Sequence, residues 1–395
     1  MAKQNTHLEH LEDDILNQGS NGGRNAIKFL RELGKMLTEP QSSVRITTKW
    51  DGAPAVVCGR YPGTGAFFVG TKSVFAKSAK ICVTAEDVDM WYSGELANKL
   101  KMCLKLLPSL GINGVLQGDL LFTNDKQVRN IGGQPCVTFQ PNTITYAIPA
   151  KTDLGKKVMA SKLGIVFHTS YSGGPTLRDM TPSFGVDVSR MNSKQVAVFS
   201  SDFTDATGAS TFSTAEKRQY DLLVNRAEGS LRQASKFLDI LGQQGEGKFM
   251  LAAMFKVYFN SFIRRGVPIR DAKTVALGFA DFYNNALQKE IDSKKTEGTK
   301  NKYRKIQLEG LKFLKLNYQP IYMTVASYMN LIAAKTVVVR KLESVKDIGT
   351  YIKTADGFRV TAPEGFVAIK SGSALKLVDR LEFSRANFTV EKNWG

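Results

Sequence analysis

A few residues in widely separated stretches carry the chain's potential for chemistry. "ITTKWDG" sets Lys49 at the end of a β-branched run, just ahead of Asp51 and Gly52 in a turn. "VLQGDLLF" places Asp119 in a strand, and "PEGFVAIK" followed by "ALKLVDR" gives Glu364, Lys370 and Lys376 in adjoining strands. Lysine offers a point charge for phosphate or, once its ammonium has lost a proton, a nucleophilic amine. Carboxylates suit hard divalent cations. A lone K-x-D-G fits any turn, so its value comes from the order and spacing of the stretches downstream of it.

Taken in order, and with Tyr146 of "ITYAIP" between them, these stretches resemble the motif set of the covalent nucleotidyltransferase superfamily: ATP-dependent DNA ligases, RNA ligases and mRNA capping guanylyltransferases. The resemblance spans residues 46 to about 150 and 360 to 385, and K-x-D-G and E-G-F-V are its specific ends. It implies that Lys49 attacks the α-phosphate of ATP, forms a lysyl-adenylate and releases pyrophosphate. Thr48, Asp51 and Gly52 then belong to the nucleotide-binding corner, with Asp51-Gly52 as the turn that fixes the strand end. Lys370 and Lys376 match lysines that grip the α-phosphate, and their charges together with desolvation favour a neutral lysine nucleophile. Asp119 stands where relatives carry glutamate, contacting ribose or a metal-bound water, and Glu364 matches an acid that holds Mg²⁺ or Mn²⁺. Tyr146 falls at the aromatic position that stacks on adenine, although "YAIPA" lacks the usual downstream aspartate. Lys72 in "VGTKSVF" lies where a basic residue reaches ribose or substrate phosphate. Each has a plainer reading too: Lys72 and Lys376 as edge lysines with apolar stems, Glu364-Gly365 as an ordinary turn, Tyr146 as core.

Bulk properties narrow the field. The chain has 395 residues, with 54 Lys and Arg against 36 Asp and Glu and a formal charge of +18. That excess attracts polyanions, nucleic acid foremost. Cys58, Cys82, Cys103 and Cys136 are scattered without C-x-x-C spacing, and only His7, His10 and His168 are available, so a zinc site or disulfide scaffold is not expected. G-x-x-x-x-G-K-[ST] is absent, "GRYPGTG" reads as a hairpin loop, and no nucleophile elbow accompanies the histidines. No apolar run approaches the ~20 residues of a bilayer span, and "MAKQNTHLEHLEDD" is too polar for a signal peptide. A cytoplasmic protein without a membrane partner is expected.

The secondary structure around these residues comes in blocks. Residues 1–43 read as an N-terminal helical segment broken at "GSNGG". Residues 44–213 carry short β-rich runs, among them "APAVVCGRY" and "LGIVFHTSY". Residues 214–346 form a basic helical insertion, within which "DSKKTEGTKNKYRK" reads as a loop, and strand texture returns over 347–395. The expected class is α+β: an antiparallel-sheet adenylyltransferase (ATP-grasp-like ligase) domain with a large helical insertion and no C-terminal OB-fold. The expected function is an ATP-dependent polynucleotide ligase using Mg²⁺, with a slight lean to RNA and with nicked duplexes or single-stranded ends as partners. A non-catalytic nucleic-acid-binding protein on the same scaffold, or an adenylyltransferase with a different acceptor, stays open.

Overall fold

The computed structural model describes residues 10–38, 45–131, 133–202, 211–344, 349–354, 357–360, 365–370 and 373–381. A 3₁₀ turn (Leu11–Asp13) leads into α1 (Asp14–Asn17) and α2 (Gly19–Met36). β1 (Arg45–Lys49), β2 (Ala55–Arg60) and β3 (Phe67–Gly70) precede α3 (Ala85–Trp91) and α4 (Gly94–Leu106). Next come β4 (Val115–Phe122), β5 (Gln127–Ile131), β6 (Gln134–Phe139), β7 (Ile144–Pro149) and α5 (Asp153–Ala160). β8 (Leu163–Ser172), β9 (Thr181–Phe184) and β10 (Val196–Phe199) close the strand-rich half. The helices α6 (Thr214–Leu241), α7 (Leu251–Arg265), α8 (Ala272–Asp292), α9 (Glu297–Leu316) and α10 (Tyr318–Leu342) come in succession. β11 (Gly349–Thr354), β12 (Gly357–Val360), β13 (Gly365–Lys370) and β14 (Ser373–Leu377) are last.

The protein is α+β, and its sheets are antiparallel apart from the pairing of β8 with β10. One sheet has the order β1-β13-β14, a second β10-β8-β4-β2-β3 with β9 on β8, and a third β12-β11-β7-β6-β5. Strands that come after the helices thus complete sheets begun before them. Pleat alternation divides the three-stranded sheet between two duties. Ile46, Phe366, Leu375 and Leu377 pack into the helical core, while Thr47, Lys49, Val367, Ile369 and Lys376 line a cavity on the other side.

The N-terminal segment is part of the helical body, because Leu30 and Leu33 of α2 share one core with Leu231 of α6 and Leu331 of α10. "GSNGG" does not break that helix but begins it. A Cβ on Gly22 would fall 1.9 Å from the Asp14 carbonyl oxygen, and one on Gly23 2.5 Å from Leu231, so the glycines permit close packing. "DSKKTEGTKNKYRK" is likewise not a loop along its length: residues 293–295 form a short connection, Thr296 caps α9, accepting from the Thr299 N–H, and the stretch from Glu297 on is helical. α10 is long and apolar enough to cross a bilayer by composition, which a search for unbroken apolar runs misses. Here it packs as a core helix, with Val325, Tyr328, Leu331 and Val338 buried against its neighbours.

Candidate active site

A cavity of about 220 Å³ opens between the three-stranded and six-stranded sheets. Its first wall is Thr47, Thr48 and Lys49 of β1 with Val367, Ile369 and Lys376 of β13 and β14. The opposite wall is Ala55 of β2, Gln117 and Asp119 of β4, and Val166 and His168 of β8, with Lys72, Trp50, Phe184 and Ser201 at the margins. Register explains the convergence. Thr47 pairs with Val367, and Val367 with Lys376, so these share one face with Lys49, which pairs with Gly365 two positions along. The Thr48 N–H donates to the Ser201 carbonyl at 2.7 Å, and Thr47 bridges Asp202, which holds β1 to the segment after β10.

In the turn after Lys49 the Asp51 carboxylate is buried and fully bonded, while the buried Trp50 indole N–H has no hydrogen-bond partner. Asp51 is 3 % exposed; its Oδ2 accepts from the Thr143 N–H, the Thr143 hydroxyl and the Ile144 N–H, each at 2.7 Å, and its Oδ1 from the Asn142 amide at 2.8 Å. The Asp51 N–H donates to the Tyr146 hydroxyl at 2.7 Å. A Cβ on Gly52 would lie 2.5 Å from the Asp119 Cβ, so glycine here lets the Lys49 corner and the Asp119 strand touch. The Ala53 N–H donates to the Leu120 carbonyl at 2.9 Å, completing that attachment.

Asp119 is flanked by basic groups. Its Oδ1 lies 3.6 Å from His168 Nε2, and His168 Nδ1 is 2.8 Å from the Thr169 hydroxyl. Lys72 is exposed as a residue, but the walls near its ammonium exclude enough water to lower its pKa, against the opposing pull of Asp119. Thr71 and Ser73 on either side of it hydrogen-bond the Tyr92 hydroxyl, at 3.2 and 2.8 Å, which fixes the loop. Among the described residues, three lysines and one carboxylate line the cavity, a charge balance that suits an anion, and Val166, Val367 and Ile369 give it an apolar flank.

The expected site residues therefore divide. Thr48, Lys49, Lys72, Asp119 and Lys376 meet in the cavity. Asp51 and Gly52 are not among the residues lining the cavity; Asp51 ties the Lys49 corner to the 142–144 segment. Tyr146 needs correcting: it is 3 % exposed, its ring 4.9 Å from Trp50 and stacked at 5.5 Å on Phe139, because β7 belongs to a different sheet from β4. The strand beside Asp119 is β8, which brings His168 and Val166 in its place. Lys370 pairs with Ser373 at the end of β13, and Lys376 is a downstream lysine brought to Lys49. Glu364 lies outside the described residues.

A divalent cation is implied by the resemblance. Among the described residues no group of three His, Cys, Asp or Glu side chains is poised to hold one. Among the described residues the donor set is one carboxylate facing ammonium groups, which fits Mg²⁺ that arrives on phosphate oxygens and keeps several waters. Asp119 would hold it, and the ion would neutralise phosphate charge.

A family model described as a family of unknown function, DUF6267, matches residues 5–392. The chain belongs to that family. No curated protein and no solved structure matches it. All four cysteines are free and buried, and burial pushes the Cys103 thiol up to about 12. Of the cavity residues, Gln117, Val166, Phe184 and Ser201 carried no signal in the sequence. His168 could have been found as a lone histidine in the strand-like run "LGIVFHTSY".

Proposed function

We propose that this DUF6267 protein is a cytoplasmic ATP-dependent polynucleotide ligase that works through a lysyl-adenylate on Lys49. The observation that supports it is the gathering of Lys49, Lys72, Lys376 and Asp119, from four separate elements, around one cavity. Polar catalysis of phosphoryl-type transfer is mostly positioning and charge, and that is what these residues offer.

In the first step the neutral Lys49 amine attacks the α-phosphorus of ATP; a P–N bond forms and the bond to pyrophosphate breaks. Lys376 and Lys72 hold the phosphate oxygens while charge builds on them. A 5′-phosphate oxygen of nucleic acid then displaces Lys49, and a 3′-hydroxyl finally displaces AMP as the ends are joined. Asp119 orients the ribose or the metal-bound phosphates.

The helical body suits the polynucleotide. α9 carries Lys300, Lys302, Arg304, Lys305, Lys312 and Lys315 against Glu297 and Glu309, with Leu308 and Leu316 exposed among them. Lys302, Arg304 and Lys305 are paired with Glu246, Glu297 and Glu309, and Lys300, Lys312 and Lys315 add further positive charge to the helix. Such a face tracks a phosphate backbone without reading sequence. We lean to RNA because the chain offers a helical body to its substrate.

The test is label transfer. Protein incubated with ATP labelled at the α-phosphate is expected to retain label under denaturing conditions and to pass it to 5′-phosphorylated RNA, nicked RNA–DNA or nicked DNA. Labelled protein that transfers to no polynucleotide would point to a different acceptor. Failure to label with either Mg²⁺ or Mn²⁺ would contradict the reading.

A further inference from the structure

The junction between the helical body and the strand bearing Lys376 is both charged and buried. Glu12 is 0 % exposed and accepts two bonds from Lys335 of α10, at 2.7 and 2.8 Å. Asp13 accepts from Arg380 at 3.0 Å and from the Tyr328 hydroxyl at 2.9 Å, and Arg380 also reaches Asn260 of α7. Arg380 itself is 8 % exposed and lies 3.9 Å from Glu12. Tyr328 is held flat against Phe259, with ring centroids 4.0 Å apart, and lies two helical turns from Lys335 on the same face of α10.

Apolar side chains would join two bodies at lower desolvation cost, and a buried ion network is better suited to fixing one geometry than to adding stability. What it fixes is the backbone around Lys376. Arg380 lies three residues after the end of β14, and on the other side His10, next to Leu11 and Glu12, makes a parallel bridge to Lys376. His10 is held neutral by burial and then by the nearby charges of Arg380, Lys335, Lys376 and Lys49, which places the junction within the electrostatic field of the cavity lysines.

We propose that Arg380, clamped by Asp13, Tyr328 and Asn260, is a positioning residue for Lys376, so that the helical body sets the place of the Lys376 ammonium in the cavity. This rests on the ligase reading above. Arg380 touches neither nucleotide nor Lys49 in this scheme; it acts through the β14 backbone. The helical body is then a working part of the adenylation centre as well as a platform for nucleic acid.

The experiment compares full-length wild type, Arg380→Met, Lys376→Met and the double variant by the rate of lysyl-adenylate formation across ATP concentration, beside urea unfolding. Arg380→Met is expected to slow maximal labelling tenfold or more while remaining folded at low urea. In the Lys376→Met background the same change should alter the rate less than twofold, because the group through which it acts is gone. Losses that multiply would mean Arg380 acts on stability alone and would overturn the proposal. If Arg380→Met does not fold, Arg380→Lys, which keeps the charge, takes its place with a smaller loss and the same non-additivity expected. Wild type that takes no label overturns both readings; labelled wild type with multiplying losses overturns the positioning role by itself.

Discussion

Asp51 is the sharpest point at which scaffold and chemistry separate. Replacing it with alanine strands the buried Ile144 N–H and the partly buried Thr143 N–H, Thr143 hydroxyl and Asn142 amide that now share one carboxylate. A buried donor left without a partner costs about 1–3 kcal/mol, so the loss should be about 3–5 kcal/mol, a large part of the ~5–15 kcal/mol that holds a domain together. Asparagine keeps an oxygen where Oδ2 takes three donors, and the Asn142 amide can turn to meet the new NH₂ group. It loses only the charge on those bonds, about 1–2 kcal/mol. Urea unfolding of Asp51→Ala and Asp51→Asn, read with self-labelling at a temperature where both are folded, distinguishes the two roles. The expected result is a severe alanine variant and a mild asparagine variant that still labels. An asparagine variant of near-wild-type stability that takes no label would refute the scaffold role and make Asp51 part of the chemistry.

The geometry sets three further outcomes. Tyr146→Phe removes the hydroxyl that accepts the Asp51 N–H, so stability should fall by about 1–3 kcal/mol while half-saturation by ATP holds; a weakened ATP requirement with unchanged stability would restore Tyr146 to the nucleotide site. Gly52→Ala drives a Cβ into Asp119 and should cost about 1–3 kcal/mol together with most of the labelling, as measured by unfolding and by label incorporation. Glu216 caps α6 through the Ser213 N–H and also binds Lys341 of α10, and these bonds, the Ser213 N–H first, hold its carboxyl down to about 2 from 4.5. A depressed folded pKa means stability present above pH 4.5 and lost as pH falls toward 2. Glu216→Gln should flatten the unfolding midpoint across that window, and the partial exposure of Glu216 keeps the effect small.

Much of the scaffold was legible because strands announce themselves by alternation. β4 and β13 read directly from "VLQGDLLF" and "GFVAIK", and the Lys49 corner from its Asp-Gly turn. Glycine misled at residues 19–23, where propensity argues for a break and close contact with Asp14 and Leu231 demands a helix. α9 looked like a loop because its buried stripe is thin, Ile306, Gly310 and Leu314, and charge fills the rest. Tyr146 shows the deeper limit. A strand aromatic can be assigned to a strand from sequence, but which sheet takes that strand depends on long-range pairing, and β7 pairs with β6 and β11 while β8 lies on β4. The Glu12–Lys335 pair and the Arg380 clamp join residues too distant for any local pattern to reveal.

Peptide mass spectrometry after incubation with ATP and Mg²⁺ locates the covalent bond on which the ligase reading rests. One AMP moiety is expected on the peptide bearing Lys49, joined through the lysine nitrogen and lost on addition of pyrophosphate, with Lys49→Arg unmodified. AMP found on a different residue, or a wild-type peptide that stays unmodified while the protein binds ATP, would rule out Lys49 as the nucleophile.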